Sequence, residues 1–324
     1  MKRFRKILVS INATRFESRP PSLRKAIQLA RDTGAELLIV EVVSSLPEYV
    51  RRLVRPKTFT ESMLMEERLK ALKTLCTGLE GVRHTVKVVG GRPVVELVRL
   101  VVSQGCDLLI RDVADDTEST FFGPLDTRLM RHCPCPVWLV KPREAPKFDR
   151  ILVAVDPLTE TDKEEQLNRK VVDLASSLAE WEQGSLHVVA GWHVRGEQLL
   201  VSRMKPAAFE EHVDEVAWTA RRNLQEALTV CKKKPIESHI KLRIGDVAHI
   251  VREYAEEIDA DLVVMGTLAR TGIPGLLIGN TAERVLQQLK CSVLTVKADS
   301  FIAPLAVEQA SDSTGQLLTA LTST

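Results

Sequence analysis

Aromatic residues are scarce: four Trp, two Tyr and eight Phe make up 4% of 324 residues. The tryptophans, Trp138, Trp181, Trp192 and Trp218, are too dispersed to form a base-stacking platform and read as core or interface residues. Charge of one sign is lacking as well. Lys and Arg number 45 against 43 Asp and Glu, a net +2, too weak a field to organise binding to a polyanion, so no nucleic-acid partner is expected. The basic runs "EYVRRLVRPK" and "VCKKKP" are short and read as solvated faces. No apolar run approaches the roughly 20 residues of a membrane span, and no membrane association is expected. The opening "MKRFRKILVSINAT" reads as a first strand rather than a targeting segment. Six cysteines, Cys76, Cys106, Cys133, Cys135, Cys231 and Cys291, lack the spacing of a disulfide framework and suit a cytoplasmic location.

Catalytic motifs are missing too. GxSxG, HExxH and GxxxxGK[ST] do not occur, so no catalytic residue is nominated. "HCPC" at His132–Cys135 offers soft ligands, but a fourth is not adjacent, and no metal is expected. His187 and His193 read as a packing and a surface residue.

What the chain does have is an internal repeat. "FRKILVSINAT" from Phe4 matches "FDRILVAVDPL" from Phe148; "GRPVVELVRLVVSQGCDLLI" from Gly91 matches "GDVAHIVREYAEEIDADLVV" from Gly245; "CPVWLVK" from Cys135 matches "CSVLTVK" from Cys291. The copies meet at the charged, proline-bearing "KPREAPK". The expected organisation is domain 1 over residues 1–143, domain 2 over 148–297 and a weakly ordered tail or docking segment over 298–324. Each copy alternates strand and helix. In the second, "RILVAVD", "SLHVVAG", "SHIKLRIG", "DLVVMG" and "SVLTVK" are mostly continuous apolar runs, as in strands covered on both faces, and "RKVVDLASSLAEW" and "VAHIVREYAEEI" have helical spacing. The fold class is therefore α/β, two tandem doubly wound domains, each with a five-stranded parallel sheet. Ligands of such sheets sit beyond the carboxyl ends of the strands where strand order reverses, which directs attention to Asp156 and to the loop after Gly266.

That loop, "VVMGTLARTGIPGLLIGNTAERVL", joins a strand to a helix through four glycines. Gly266 would let the backbone approach a ligand, and Gly279, Asn280 and Thr281 would present helix-start amides to an anion such as phosphate. The loop alone leaves open an ordinary connection in which Asn280 is simply the N-cap. Asp156 likewise suits either a ligand or a bond to its own turn, "DPLTET". Arg270 suits phosphate or solvent.

Taken together, the two "ILV" strands, the "DLLI" and "DLVV" strands, the closing "PVWLVK" and "SVLTVK" and the glycine loop resemble a tandem universal stress protein of the E-type subgroup over roughly residues 4–297. The resemblance implies an adenine nucleotide alpha hydrolase-like fold and a site for ATP or another adenine nucleotide. Nucleotide-binding members carry G-x-x-G, nine residues, then G-(S/T). Gly266 and Gly279 stand at the first and third glycine positions, Ala269 replaces the middle one, and Asn280, followed by Thr281, stands where Ser or Thr is usual. By the same resemblance Asp156 approaches the nucleoside and the Val188 backbone reads the adenine edge. The implied role is a stress-response regulator or interaction module with an unknown protein partner; the alternatives are a slow ATPase and an interaction protein without nucleotide.

The first domain lacks these features. Asp112 stands where Gly266 is, the acidic "VADDTEST" follows, Asn12 replaces Asp156, and Pro124 after Gly123 removes one amide donor. In single-domain members the last strand is the usual dimer contact, so the resemblance also implies an intramolecular pseudo-dimer, without excluding further self-association. Amides of residues 136–141 and 292–297 should then exchange slowly in the intact protein. Fast exchange in either strand would refute that arrangement.

Overall fold

The structure, a computed structural model, describes residues 4–44, 61–113, 122–142, 147–267, 279–299 and 301. Contacts divide the chain into two units, one up to residue 146 and one spanning Lys147–Asp299. The first contains β1 (Lys6–Ser10), α1 (Pro21–Thr33), β2 (Glu36–Val43), α2 (Glu61–Leu75), β3 (His84–Gly90), α3 (Pro93–Gln104), β4 (Leu108–Asp112), α4 (Pro124–His132) and β5 (Val137–Val140). Its strands pair in parallel in the order β3-β2-β1-β4-β5. Proline stands in the first turn of α1, α3 and α4, where its missing N–H costs nothing. Helices α1 and α3 stop at Gly34 and Gly105, whose φ of 75° and 64° places them in the left-handed region.

The second unit contains β6 (Arg150–Val155), α5 (Asp162–Trp181), β7 (Ser185–Trp192), α6 (Glu197–Arg203), α7 (Pro206–Leu228), β8 (Ile240–Ile244), α8 (Val247–Glu257), β9 (Leu262–Gly266), α9 (Asn280–Leu286) and β10 (Ser292–Val296). Its strands are again parallel, in the order β8-β7-β6-β9-β10. Helix α5 packs against β6, β9 and α7, whereas α8 packs against β7 and α9.

Two features exceed the strand-helix alternation read from sequence. Helix α5 begins well before its apolar stripe, because Thr161 and Glu164 form a capping box: the Glu164 N–H donates to Thr161 Oγ1 at 3.4 Å and the Thr161 N–H to Glu164 Oε2 at 3.1 Å. Two helices, not one, join β7 to β8, since Pro206 cannot continue α6 and instead starts α7.

Trp138 and Trp192 are buried, but Trp218 stands 62% exposed on α7 with the Arg222 guanidinium 5.0 Å from its ring centre. The six cysteines form no disulfide. The Cys133 and Cys135 sulfurs lie side by side at 3.5 Å, and burial pushes the Cys135 thiol far up, which makes it a packing group and not a nucleophile. Among the described residues no helix is long and apolar enough to cross a membrane.

Candidate nucleotide site

β6 is the switch strand of the second unit, with β7 on one side and β9 on the other. Beyond the carboxyl ends of β6 and β9 lies a cavity of about 270 Å³. Asp156, Gly266, Gly279, Asn280 and Thr281 all line it. Ala269 and Arg270 lie outside the described residues. Val188 does not reach the cavity: it is fully buried in mid-strand, paired with Val153 and Ile240. β7 enters the wall only at its carboxyl end, through Gly191 and Trp192, with the exposed His193 next in the chain. A Cβ on Gly191 would meet the Val247 Cα at 3.2 Å, so this glycine lets the start of α8 close the wall.

Gly266 serves packing as well as access. A Cβ there would come within 2.8 Å of Leu167 Cδ2, and Leu167 of α5 itself lines the cavity. Helix α9 opens at Asn280, within the stretch Gly279–Thr281 expected to present helix-start amides. Its N-cap is Gly279, which brings no side-chain acceptor, and Asn280 is already helical, so Asn280 does not cap the helix. The last turn of α9 is tied to the start of α8: Arg284 ion-pairs at 2.9 Å with Asp246, the N-cap of α8. The His249 N–H and then Arg284 hold the Asp246 carboxyl below its ordinary range.

Asp156 combines both readings of its sequence context. Its Oδ1 accepts from the Leu158 N–H at 3.1 Å, an Asx turn, and the residue also faces the cavity. Glu164 is the second carboxylate in the lining; its Oε2 accepts from the Glu160 and Thr161 N–H groups at 2.6 and 3.1 Å. Beside these polar groups, Leu158, Leu167, Val247 and Val251 supply apolar lining. Glu164 and Asn168, described below, escaped the sequence reading; "T-E-T-D-K-E" was the available capping signal for the former.

The first unit fills the corresponding places with its own side chains. Ser10 pairs with Arg111 as Ala154 pairs with Met265, so Arg111 and Asp112 occupy the positions of Met265 and Gly266. The Asp112 carboxylate accepts from the Ser22 N–H at 2.9 Å and from its hydroxyl, and burial pushes its pKa up. Gly123 is the N-cap of α4, as Gly279 is of α9, but the residue three further on is Asp126 and not Ala282. Asp126 takes the Gly123 N–H at 3.1 Å and ion-pairs with Arg111 at 3.1 Å. A built-in carboxylate thus occupies the helix start that an anion would need. On the other side of β1, Arg68 of α2 contacts Asn12, Thr14 and the buried Glu41. The acidic stretch 114–120 lies outside the described residues.

The universal stress protein family model matches residues 3–141 and 147–297. The chain is 26% identical over 319 residues to universal stress protein E of Photorhabdus laumondii, covering 94% of this chain and 98% of that protein. It is 26% identical over 325 residues to universal stress protein E of Escherichia coli K12, covering 96% and 100%. A functionally unknown protein of Pseudomonas aeruginosa PAO1 has the same fold, with a TM-score of 0.71 at 24% identity over 96% of this chain and 98% of that one. A universal stress protein from Archaeoglobus fulgidus DSM 4304 superposes with a TM-score of 0.53 at 15% identity, covering 90% and 98%. Matched once in each unit, the chain belongs to the universal stress protein family, as a tandem of two family domains of the E type.

Proposed function

We propose that the second unit binds ATP or a related adenine nucleotide in the cavity at the β6/β9 switch point, and that the chain acts as a cytoplasmic stress-response regulator. The observation that carries this reading is the convergence of Asp156, Gly266, Gly279, Asn280 and Thr281 on one cavity of about 270 Å³, close to the lower end, about 300 Å³, of ordinary small-molecule sites. The residues suit the group. Leu158, Leu167, Val247 and Val251 offer apolar walls to a flat base, Asp156 offers an acceptor to a ribose hydroxyl, and the uncapped α9 start offers amides to phosphate. Bound nucleotide would stabilise the loops at this edge and change what a partner protein meets, a linkage that needs no turnover. The first unit contributes no nucleotide site, because Asp112, Asp126 and Arg68 occupy its edge.

Equilibrium dialysis of the full chain with ATP tests this. Gly279→Val places a branched side chain at the phosphate position and is expected to lower affinity at least about a hundredfold, near 3 kcal/mol, with the fold intact by circular dichroism. Undiminished binding would remove the α9 start from the site. Product analysis in the same samples separates regulator from slow ATPase: retained ATP supports the former, steady release of phosphate the latter.

A further inference from the structure

The Asp156 turn is held by two asparagines, Asn168 of α5, which also lines the cavity, and Asn223 of α7. The Asn168 carboxamide of α5 grips both backbone groups of Asp156: its Oδ1 accepts from the Asp156 N–H at 3.3 Å, and its Nδ2 donates to the Asp156 carbonyl at 2.6 Å. Asn223 of α7 donates through Nδ2 to the next carbonyl, that of Pro157, at 3.0 Å. The Leu158 N–H closes the turn on the Asp156 carboxylate. Asn168 is only 9% exposed, and an amide buried there could have been an aliphatic residue had packing been its whole task. A carboxamide reproduces the donor and acceptor of a peptide group, so Asn168 pairs with Asp156 much as a neighbouring strand would, just past the end of β6. Proline at 157 brings no N–H, which leaves its carbonyl as the one backbone group of that residue needing a partner, and Asn223 supplies it.

We propose that Asn168 and Asn223 are positioning residues that preset the Asp156 turn before ligand arrives, and that they connect the cavity wall to α5 and α7. The proposal rests on the nucleotide reading for what the turn recognises, but not for how the turn is held. Presetting removes an ordering cost at binding, since the Asp156 carboxylate and the adjoining Leu158 wall are already placed. It also gives α7, the helix that carries the exposed Trp218 and Arg222, a direct mechanical connection to the cavity through Pro157.

The test has two arms on the full chain. Hydrogen exchange without ligand compares wild type with Asn168→Leu and Asn223→Leu. Amides of residues 156–160 should exchange faster by at least about tenfold in each variant, the loss of roughly one hydrogen bond, while the rest of α5 and α7 keep wild-type protection. Unchanged exchange at 156–160 overturns the proposal, and so does uniform loosening of the unit. ATP dialysis forms the second arm, on wild type, Asn168→Leu, Asp156→Ala and the double variant. Asn168→Leu should weaken ATP about tenfold, and adding it to Asp156→Ala should cost little more, because the first acts through the second. Fully multiplicative losses would contradict positioning. Absence of ATP binding by wild type would sink the nucleotide reading and leave exchange to decide the role of the asparagines.

Discussion

Asp126→Ala is expected to lower the unfolding free energy of the first unit by about 3–5 kcal/mol, the usual cost of removing one partner from a buried ion pair. The Asp126 and Arg111 side chains are 2% and 13% exposed and approach to 3.1 Å. Burial raises the Asp126 pKa while Arg111 and the Gly123 N–H oppose that rise. With the carboxylate gone, Arg111 would be left, among the described residues, with the Asp112 carbonyl at 3.3 Å as its acceptor, and its Nη1 has none there. The second unit shows the compensating solution, Met265 and Ala282 at the same places. The double variant Arg111→Met, Asp126→Ala should therefore recover most of the loss, because replacing both partners avoids the stranded charge. Denaturant titration of the full chain, followed by a probe in the first unit, checks both. A loss under about 1 kcal/mol for Asp126→Ala, or a double variant as unstable as the single one, would mean that the pair is worth no more than a surface contact.

Acidification from pH 7 to 4 is expected to remove about 3 kcal/mol of stability through His187 alone. This residue lies in β7 and is 7% exposed. Its Nδ1 is 3.2 Å from the Tyr254 hydroxyl, its Nε2 is 3.0 Å from Ser185 Oγ, and its ring stacks on His239 at 3.8 Å. Ser185 Oγ also lies 3.1 Å from the Asp149 carbonyl, to which it donates, so it can accept from an Nε2–H while the Tyr254 hydroxyl donates to Nδ1. That chain of donors satisfies a neutral ring. Burial first, then His239 and Arg150, lowers the His187 pKa from 6.5 to about 4. A depressed pKa means that the unfolded chain binds the proton more readily, so the contribution is full above about pH 6.5 and drains away as pH falls toward 4. The buried carboxyls of Glu41, Asp112 and Asp126, whose pKa values are raised by burial, act in the opposite sense on acidification. The informative quantity is therefore the stability of wild type minus that of His187→Gln, which should fall by about 3 kcal/mol between pH 7 and 4. Parallel pH profiles would show that His187 is not held neutral.

The frame of the molecule was legible because parallel strands covered on both faces leave continuous apolar runs: "RILVAV" and "LVVMG" can be read directly, and the duplicate copy checks each assignment. Boundaries set by polar side chains were not. The first turns of α5 carry no apolar stripe, and only the Thr161–Glu164 capping box marks them. At the site, glycines announce themselves by type, so Gly266 could be placed at the strand end and Gly279 at the helix start from sequence. Asn168 and Asn223 could not, because their contacts to Asp156 and Pro157 cross from other elements and no local pattern records them. Val188 lies elsewhere on its strand. A strand supplies a ligand edge only at its carboxyl end, so Gly191 and Trp192 line the cavity while Val188 stays inside the ladder. In the first unit Asp112, Asn12 and Pro124 could be read as departures from the second copy, whereas the Arg111–Asp126 pair could not, because it joins a strand to the next helix.

Native mass spectrometry of the full chain with ATP addresses the central claim most directly, since it counts ligands per chain. One nucleotide per chain, lost on Gly279→Val and retained in Arg111→Met, Asp126→Ala, is the predicted result. No bound nucleotide, or two per chain in the wild type, would contradict a single site in the second unit.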